Sequence, residues 1–297
     1  MKTSVTFSQP WGGLGDNLQF SNLPKLYNSI GTKFFISIFN YTRNKEIQDL
    51  VWTKNDFVSR NKRIFPNVGY KVLIDSNFRL INDEYNNIQN INVLHGFEPG
   101  LGFPEFNLSE YNLKNQSKEF DLILDVNAYS LFKGGVHLYD EEEFNNMINS
   151  YSSASSIELI FPNLYKKNIV NKTSNKLEIY RLKDLIEVLL NTKTFVCLNS
   201  GSHVLAAGLK EMTGRPENII SFNNFYDNIK IKGGKVLNKN GKFYFDNVFY
   251  HFIKKNSKLK ELENNLNFTD LQDVEPNMDK YIKLNQLYFH YLKKYFK

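Results

Sequence analysis

Two short stretches of this sequence have the residue types and spacing to hold and activate a polar substrate. The first is Gly12-Gly13-Leu14-Gly15-Asp16-Asn17, which follows the apolar run Val5-Thr6-Phe7 and precedes a helical pattern over residues 18–27. Three glycines let a backbone turn tightly and approach a ligand, while free amides at a helix start attract anionic or polyhydroxyl groups. Asp16 is thereby set where strand becomes helix. A carboxylate in that place is expected to have a lowered pKa and to be ionised at neutral pH. The second stretch is Asn199-Ser200-Gly201-Ser202-His203, between a strand pattern at 194–198 and a small-residue helix containing Ala206 and Ala207. Ser200 and Ser202 can donate hydrogen bonds, Gly201 permits close approach, and the amides of the next helix can bind a phosphate or a sugar hydroxyl. His203 suits ligand contact, and it suits a cap or a buried hydrogen bond equally well. Gly-rich turns also join strand to helix where no ligand binds.

The elements that must position these turns alternate along the chain. Strand patterns at 5–8 and 34–39 alternate with helical patterns at 18–27 and 45–52, and further strand patterns fall at 71–74 and 91–94. Residues 99–104 and 112–117 read as linker, which closes a first domain at 1–117. A second alternating series follows: a strand at 120–126, a loop holding Lys133, a helix opened by the acidic run at 140–143, and a strand at 157–161. It continues with helices at 182–190 and 204–212 and strands at 194–198 and 219–222, which gives a second Rossmann-like domain at 118–255. Within it, Gly- and Lys-rich text from 233 predicts a hairpin with a strand at 241–245. Residues 256–297 form a helical segment in which Tyr281, Leu284, Tyr288, Tyr291 and Tyr295 share one face. With Lys283, Lys293 and Lys294 beside it, that stripe could rest on a membrane surface; docking on its own protein is the commoner use of such a face.

Composition narrows the classes. At 297 residues and 41% hydrophobic, with 25 Phe and 17 Tyr, the chain can fill two cores, and two domains imply a cleft between them. No segment has the apolar length that spans a bilayer, and the first residues lack a signal-peptide pattern, so a cytoplasmic, at most membrane-peripheral, location is expected. The single cysteine, Cys197, excludes an intramolecular disulfide and zinc sites built on paired thiolates. The net charge of +6 is spread over scattered lysines with six arginines, which argues against nucleic acid and leaves positive charge to assist a phosphorylated substrate.

Taken together, Gly13-Leu14-Gly15-Asp16 with Leu18 and Pro24, and Leu182-Lys183-Asp184-Leu185-Ile186 ahead of the run from Asn199 to Leu209, resemble the ADP-heptose glycosyltransferase family, family nine. Members open with a strand, a G-x-G-D turn and a helix, and later carry an L-x-E-L-A helix, a strand and D-S-G-x-x-H-L-A-A-A-L. Here Asn199 stands where the family has Asp, and one residue fewer separates Gly201 from His203. The resemblance implies the GT-B type of α/β architecture: two Rossmann-like domains facing a cleft, with the C-terminal helix returning to the first domain. It implies an acceptor-binding N-terminal domain and a C-terminal domain that binds a nucleotide-sugar, which is a substrate and not a cofactor. Transfer would then proceed with inversion and without a required metal, to a hydroxyl of a glycan, a lipid-linked acceptor or a protein. Asp16 would be the general base. Gly13, Gly15, Asn17, Asn199, Ser200, Gly201, Ser202 and His203 would bind substrate, as would Lys133, placed where the family often sets a basic residue near the donor phosphates.

Other classes fit less well. A dinucleotide oxidoreductase would need a third glycine where Asn17 and Leu18 stand, and an acidic residue where the second strand ends in Asn40. Glycosidase chemistry needs two carboxylates facing one bond, and no such pair is legible. A non-catalytic glycan-binding or assembly protein on the same fold is the alternative that the change at Asn199 and the shortened loop suggest.

Overall fold

The computed structural model of the chain describes residues 3–9, 12–69, 82, 84–109, 111, 119–126, 141–151, 155–162, 175–224, 230–239 and 242–253. Among them, strands form two separate parallel sheets. The first sheet contains β1 (Ser4–Ser8), β2 (Lys33–Ser37), β3 (Val58–Arg63) and β4 (Val68–Gly69), in the order β3-β2-β1-β4. Every pairing in it is parallel. The second contains β5 (Phe120–Asp125), β6 (Ser156–Ile160), β7 (Lys176–Glu178), β8 (Thr192–Leu198), β9 (Asn218–Asn224) and β12 (Phe249–Ile253), in the order β12-β9-β8-β5-β6-β7, and is also parallel throughout. A parallel sheet needs both faces covered, which explains near-continuous apolar strands such as Phe34-Phe35-Ile36 and Phe195-Val196-Cys197-Leu198.

The α-helices are α1 (Leu14–Leu18), α2 (Leu23–Ser29), α3 (Lys45–Gln48), α4 (Asn87–Leu94), α5 (Glu141–Tyr151), α6 (Leu182–Leu190) and α7 (Gly201–Thr213), and α3 runs on into a π-helical turn at Asp49–Thr53. Alternate residues of the second sheet serve opposite faces. Leu124, Val196, Leu198 and Phe222 pack with Ile148 of α5, whereas Ile123, Phe195 and Cys197 share a cluster with Val204 and Leu205 of α7. That larger cluster is continuous through both sheets, taking in Phe7 and Phe34 from the first and Trp52 from the π-helical turn beside it.

The segment 99–108 has no regular structure and ties the halves together. Asn22 Nδ2 donates to the Phe103 carbonyl at 2.8 Å, Glu105 N donates to Ser21 Oγ at 3.0 Å, and the Phe103 ring stacks on Phe245 with centroids 5.8 Å apart. Gly208 of α7 lies against Pro104 and Phe106, where a Cβ would stand 2.7 Å from Pro104 Cγ. A backbone bond from Leu182 N to Glu46 Oε2, 2.7 Å long, adds a second tie.

Several expected elements differ. The helix predicted at 18–27 begins earlier, at Leu14, and breaks between α1 and α2, where Pro24 occupies the first turn of the new helix. Residues 91–94 are the end of a helix, not a strand: Asn86 Oδ1 caps Gln89 N, Gln89 Oε1 caps Asn86 N, and this capping box starts α4. Residues 243–245 form no strand; Tyr244 and Phe245 are buried as core side chains, and the strand lies just beyond, at β12. The expected hairpin is present as β10 (Ile231–Lys232) and β11 (Lys235–Val236), turned by Gly233 and Gly234 at φ of 57° and 75°, values that favour glycine. The strand pattern at 71–74, Lys133, the domain boundary after residue 117 and the aromatic stripe at 281–295 lie outside the described residues.

Candidate functional site

The first turn is built on a buried amide network. Gln9, fully buried at the end of β1, donates from Nε2 to Asn17 Oδ1 and to the Tyr41 carbonyl, each at 2.9 Å. Trp52 Nε1 donates to the same Asn17 oxygen at 2.9 Å, and Asn17 Nδ2 donates to the Gly13 carbonyl at 2.9 Å. Asn17 therefore faces inward and fixes the shape of the turn; its side chain is fully buried and offers no surface to a ligand. Gly12 lies against the Tyr41 ring and Gly13 against the Asp16 carboxylate, where a Cβ would stand 2.3 Å and 2.4 Å away respectively. Neither Gly13, with φ of −68°, nor Gly15 is in the left-handed region. These glycines are required for the missing Cβ rather than for conformational freedom.

Asp16 is half-buried at the third position of α1, with Oδ2 accepting the Gly13 N–H at 3.1 Å. Burial raises its pKa above the ordinary carboxylate value, against the smaller opposing effects of that hydrogen bond and of the Arg43 guanidinium. The expectation of a lowered pKa is thus corrected: α1 has five residues, too short for its dipole to offset desolvation. A raised carboxylate pKa brings the group closer to the range in which a general base works well.

The second turn follows the carboxyl end of β8. Ser200 is the N-cap residue of α7, in extended conformation with φ of −144°, and its Oγ is 2.7 Å from Ser202 Oγ. Ser202 Oγ donates in turn to Asp125 Oδ2 at 2.5 Å, and Asp125, 3% exposed, closes β5. Parallel register sets Asp125, Cys197, Ser221 and Tyr250 in one row across the sheet, beneath the start of α7. His203 belongs to that row's packing: it is fully buried, shares a 3.1 Å hydrogen bond between Nε2 and the Tyr250 hydroxyl, and is held neutral by burial, its pKa lowered to about 3. Like Asn17, it points into the protein. Tyr250 Oη also accepts the Phe245 N–H at 2.7 Å, so the histidine is anchored to β12 and to the 243–245 segment.

The structure brings the two turns together. α1 packs directly on the start of α7: a Cβ on Gly201 would lie 3.0 Å from Leu14 Cβ and 3.1 Å from Gly15 N, and one on Gly15 would lie 3.3 Å from Val204 Cγ2. Leu14 and Gly15 thus meet Gly201 and Val204, which brings the turn holding Gly13 and Asp16 beside the one holding Asn199, Ser200 and Ser202, at the carboxyl ends of β1 and β8, the end at which open parallel sheets bind ligands. The sequence reading missed Asp125, whose signal was an acidic residue ending an apolar strand run. It also missed Gln9, Trp52 and Arg43, which become visible only when β1, α1 and the chain after β2 are folded onto one another.

The sequence matches no known protein family, and no curated protein matches it. Among solved structures, the bacterial iron-containing dodecameric glycosyltransferase TibC from enterotoxigenic E. coli H10407 is similar with a TM-score of 0.53 at 15% identity, over 84% of this chain and 64% of that one. The likeness is one of fold. The complex of TibC with ADP-D-beta-D-heptose gives 0.48 at 14% identity, over 84% of this chain and 62% of the other. A glycosyl transferase family 9 protein from Veillonella parvula DSM 2008 gives 0.47 at 8%, over 97% and 98%. This chain thus spans just under two thirds of the TibC chain. Among its described residues no three His, Cys, Asp or Glu side chains come together to hold a metal ion.

Proposed function

We propose that this protein is an inverting, metal-independent glycosyltransferase that moves a sugar from a nucleotide-sugar to a hydroxyl of a glycan, lipid-linked or protein acceptor. The observation that carries the reading is the direct packing of the Asp16 turn on the Ser200-Gly201-Ser202 turn. This joins a carboxylate of raised pKa to the amino end of a 13-residue helix. The shared fold with TibC supports it.

Asp16 accepts the proton of the acceptor hydroxyl as that oxygen bonds to the anomeric carbon from the face opposite the diphosphate. The bond from the anomeric carbon to the diphosphate oxygen breaks, and the charge gathers on the leaving group. In this reading the amides at the start of α7 and the Ser200 hydroxyl meet that charge, and the hydrogen bonds that link Asp125 to Ser202 and Ser202 to Ser200, which hold the serines in orientation, support it. The chain of bonds from Asp125 serves as positioning, since Asp125 itself lies beneath the helix. Lys133 would add a cation to the donor phosphates, and the C-terminal helix would return to the first domain or touch a membrane.

A thermal-shift titration with nucleotide-sugars tests the reading, because a ligand that binds only the folded state raises the midpoint by mass action. A saturable shift specific to one nucleotide base, diminished in Ser200→Ala, is expected. No shift with any nucleotide in folded protein would overturn it and favour a non-catalytic glycan-binding or assembly role, the reading to which Asn199 points.

A further inference from the structure

A second recess lies at the opposite end of the second sheet. It is an open recess of about 550 Å³ at the amino ends of β8, β9 and β12, walled by Thr194, Asn218, Ile219, Val248 and Phe249, with Lys210 of α7 and Gly233 and Lys235 of the β10–β11 hairpin also in its lining. That volume is within the range of small-molecule sites, roughly 300–1,000 Å³, and well beyond what a lone ion needs. Lys210 enters it from α7, nine residues after Gly201 and so about 14 Å along the helix from the serine turn. Lys235 enters from the hairpin.

The lining of this recess carries two lysines and one carboxylate. Asp246 also lines it, but is engaged by Lys239 at 3.0 Å. Lys210 Nζ donates to the Asn247 carbonyl at 3.0 Å, and among the described residues neither Lys210 nor Lys235 has a carboxylate partner. The Lys210 pKa is lowered first by burial and then by the charge of Lys235. Holding two like charges beside one cavity costs free energy that a bound anion would return.

The wall is also fixed in place. Gly234 packs flat on the Phe249 ring, where a Cβ would stand 1.9 Å from it, and the Gly234 carbonyl accepts the Tyr250 N–H at 2.9 Å. The hairpin that carries Lys235 is thereby clamped to β12. Phe249 stays 44% exposed, offering an apolar face beside the lysines.

We propose that this recess is a second binding site, for a small sugar phosphate, with the phosphate between Lys210 and Lys235 and the sugar against Phe249 with Thr194 and Asn218 at its polar edge. It is independent of the glycosyltransferase reading.

Calorimetric titration of the full chain with glucose 1-phosphate, with inorganic phosphate in parallel, tests it. Saturable binding is expected with a Kd of about 1 mM or tighter, with inorganic phosphate about tenfold weaker. Lys235→Glu, at an exposed position, should weaken glucose 1-phosphate about tenfold or more while leaving the melting temperature in place, and Lys235→Gln should fall between. Ser202→Ala should leave this affinity unchanged. Absence of saturable binding, equal affinity in Lys235→Glu, or loss in Ser202→Ala instead would overturn the proposal, and inorganic phosphate binding as tightly as glucose 1-phosphate would overturn its sugar half.

Discussion

Asp16 has two consequences that can be separated. Because burial raises its pKa, ionising it costs the fold more than it costs the unfolded chain. Its contribution to stability is complete below the ordinary carboxylate value of 3.8 and is lost as pH rises through the raised folded value. Asp16→Asn should therefore keep or raise the melting temperature at pH 7, with the gain vanishing in acid, as calorimetric scans at both pH values would show. The buried histidines work with the opposite sign. His203 and His95 have pKa values lowered by burial to about 3 and about 4, so the unfolded chain takes up protons first, and stability falls as pH drops below 6.5. Nuclear magnetic resonance titration should find the His203 ring neutral throughout pH 5–8. A midpoint in that window would contradict its burial. Ser202→Ala removes a donor from the buried Asp125 carboxylate and should cost about 1–3 kcal/mol in urea unfolding, a loss that Asp125→Ala in the same chain largely absorbs.

At the scale of elements, close contact is made by missing side chains. Gly208→Ala would place a methyl 2.7 Å from Pro104 Cγ, 2.9 Å from Phe106 Cε1 and 3.0 Å from the Pro104 carbonyl, between two rings and a backbone oxygen. A loss of about 1–3 kcal/mol is expected by denaturant unfolding. At Gly201 the tightest neighbours are Leu14 Cβ and Gly15 N at 3.0 Å and 3.1 Å, so Gly201→Ala should shift α1 against α7 and weaken nucleotide-sugar binding more than it lowers stability. The sequence made the strand-to-helix turns legible, because an apolar run ending in Gly, Ser or Asn leaves few other structures. It did not make α4 legible: Ile91 and Val93 read as strand-like alternation, and the deciding signal was the reciprocal bond between Asn86 and Gln89. Nor did composition reveal that Asn17 and His203 turn inward, since partners such as Gln9, Trp52 and Tyr250 lie 8, 35 and 47 residues away in sequence.

For the molecule as a whole, two series of alternating strands and helices were readable in the sequence, whereas the order of the strands in each sheet and the joining of the sheets through one continuous cluster were not. The joining depends on Phe103 and Pro104, in text that reads as linker, on Phe106 just beyond it, and on Phe245, in text that reads as a strand. It is this joining that sets the Asp16 turn against the serine turn. The most direct test is the rate of nucleoside diphosphate release from a nucleotide-sugar that binds, in the presence of acceptor, for wild type and Asp16→Asn at equal folded concentration. The account predicts a fall of about 10²–10⁴-fold in the variant, with nucleotide-sugar affinity retained and an acid limb in the wild-type profile above the usual carboxylate range. Equal rates in the two proteins would contradict it.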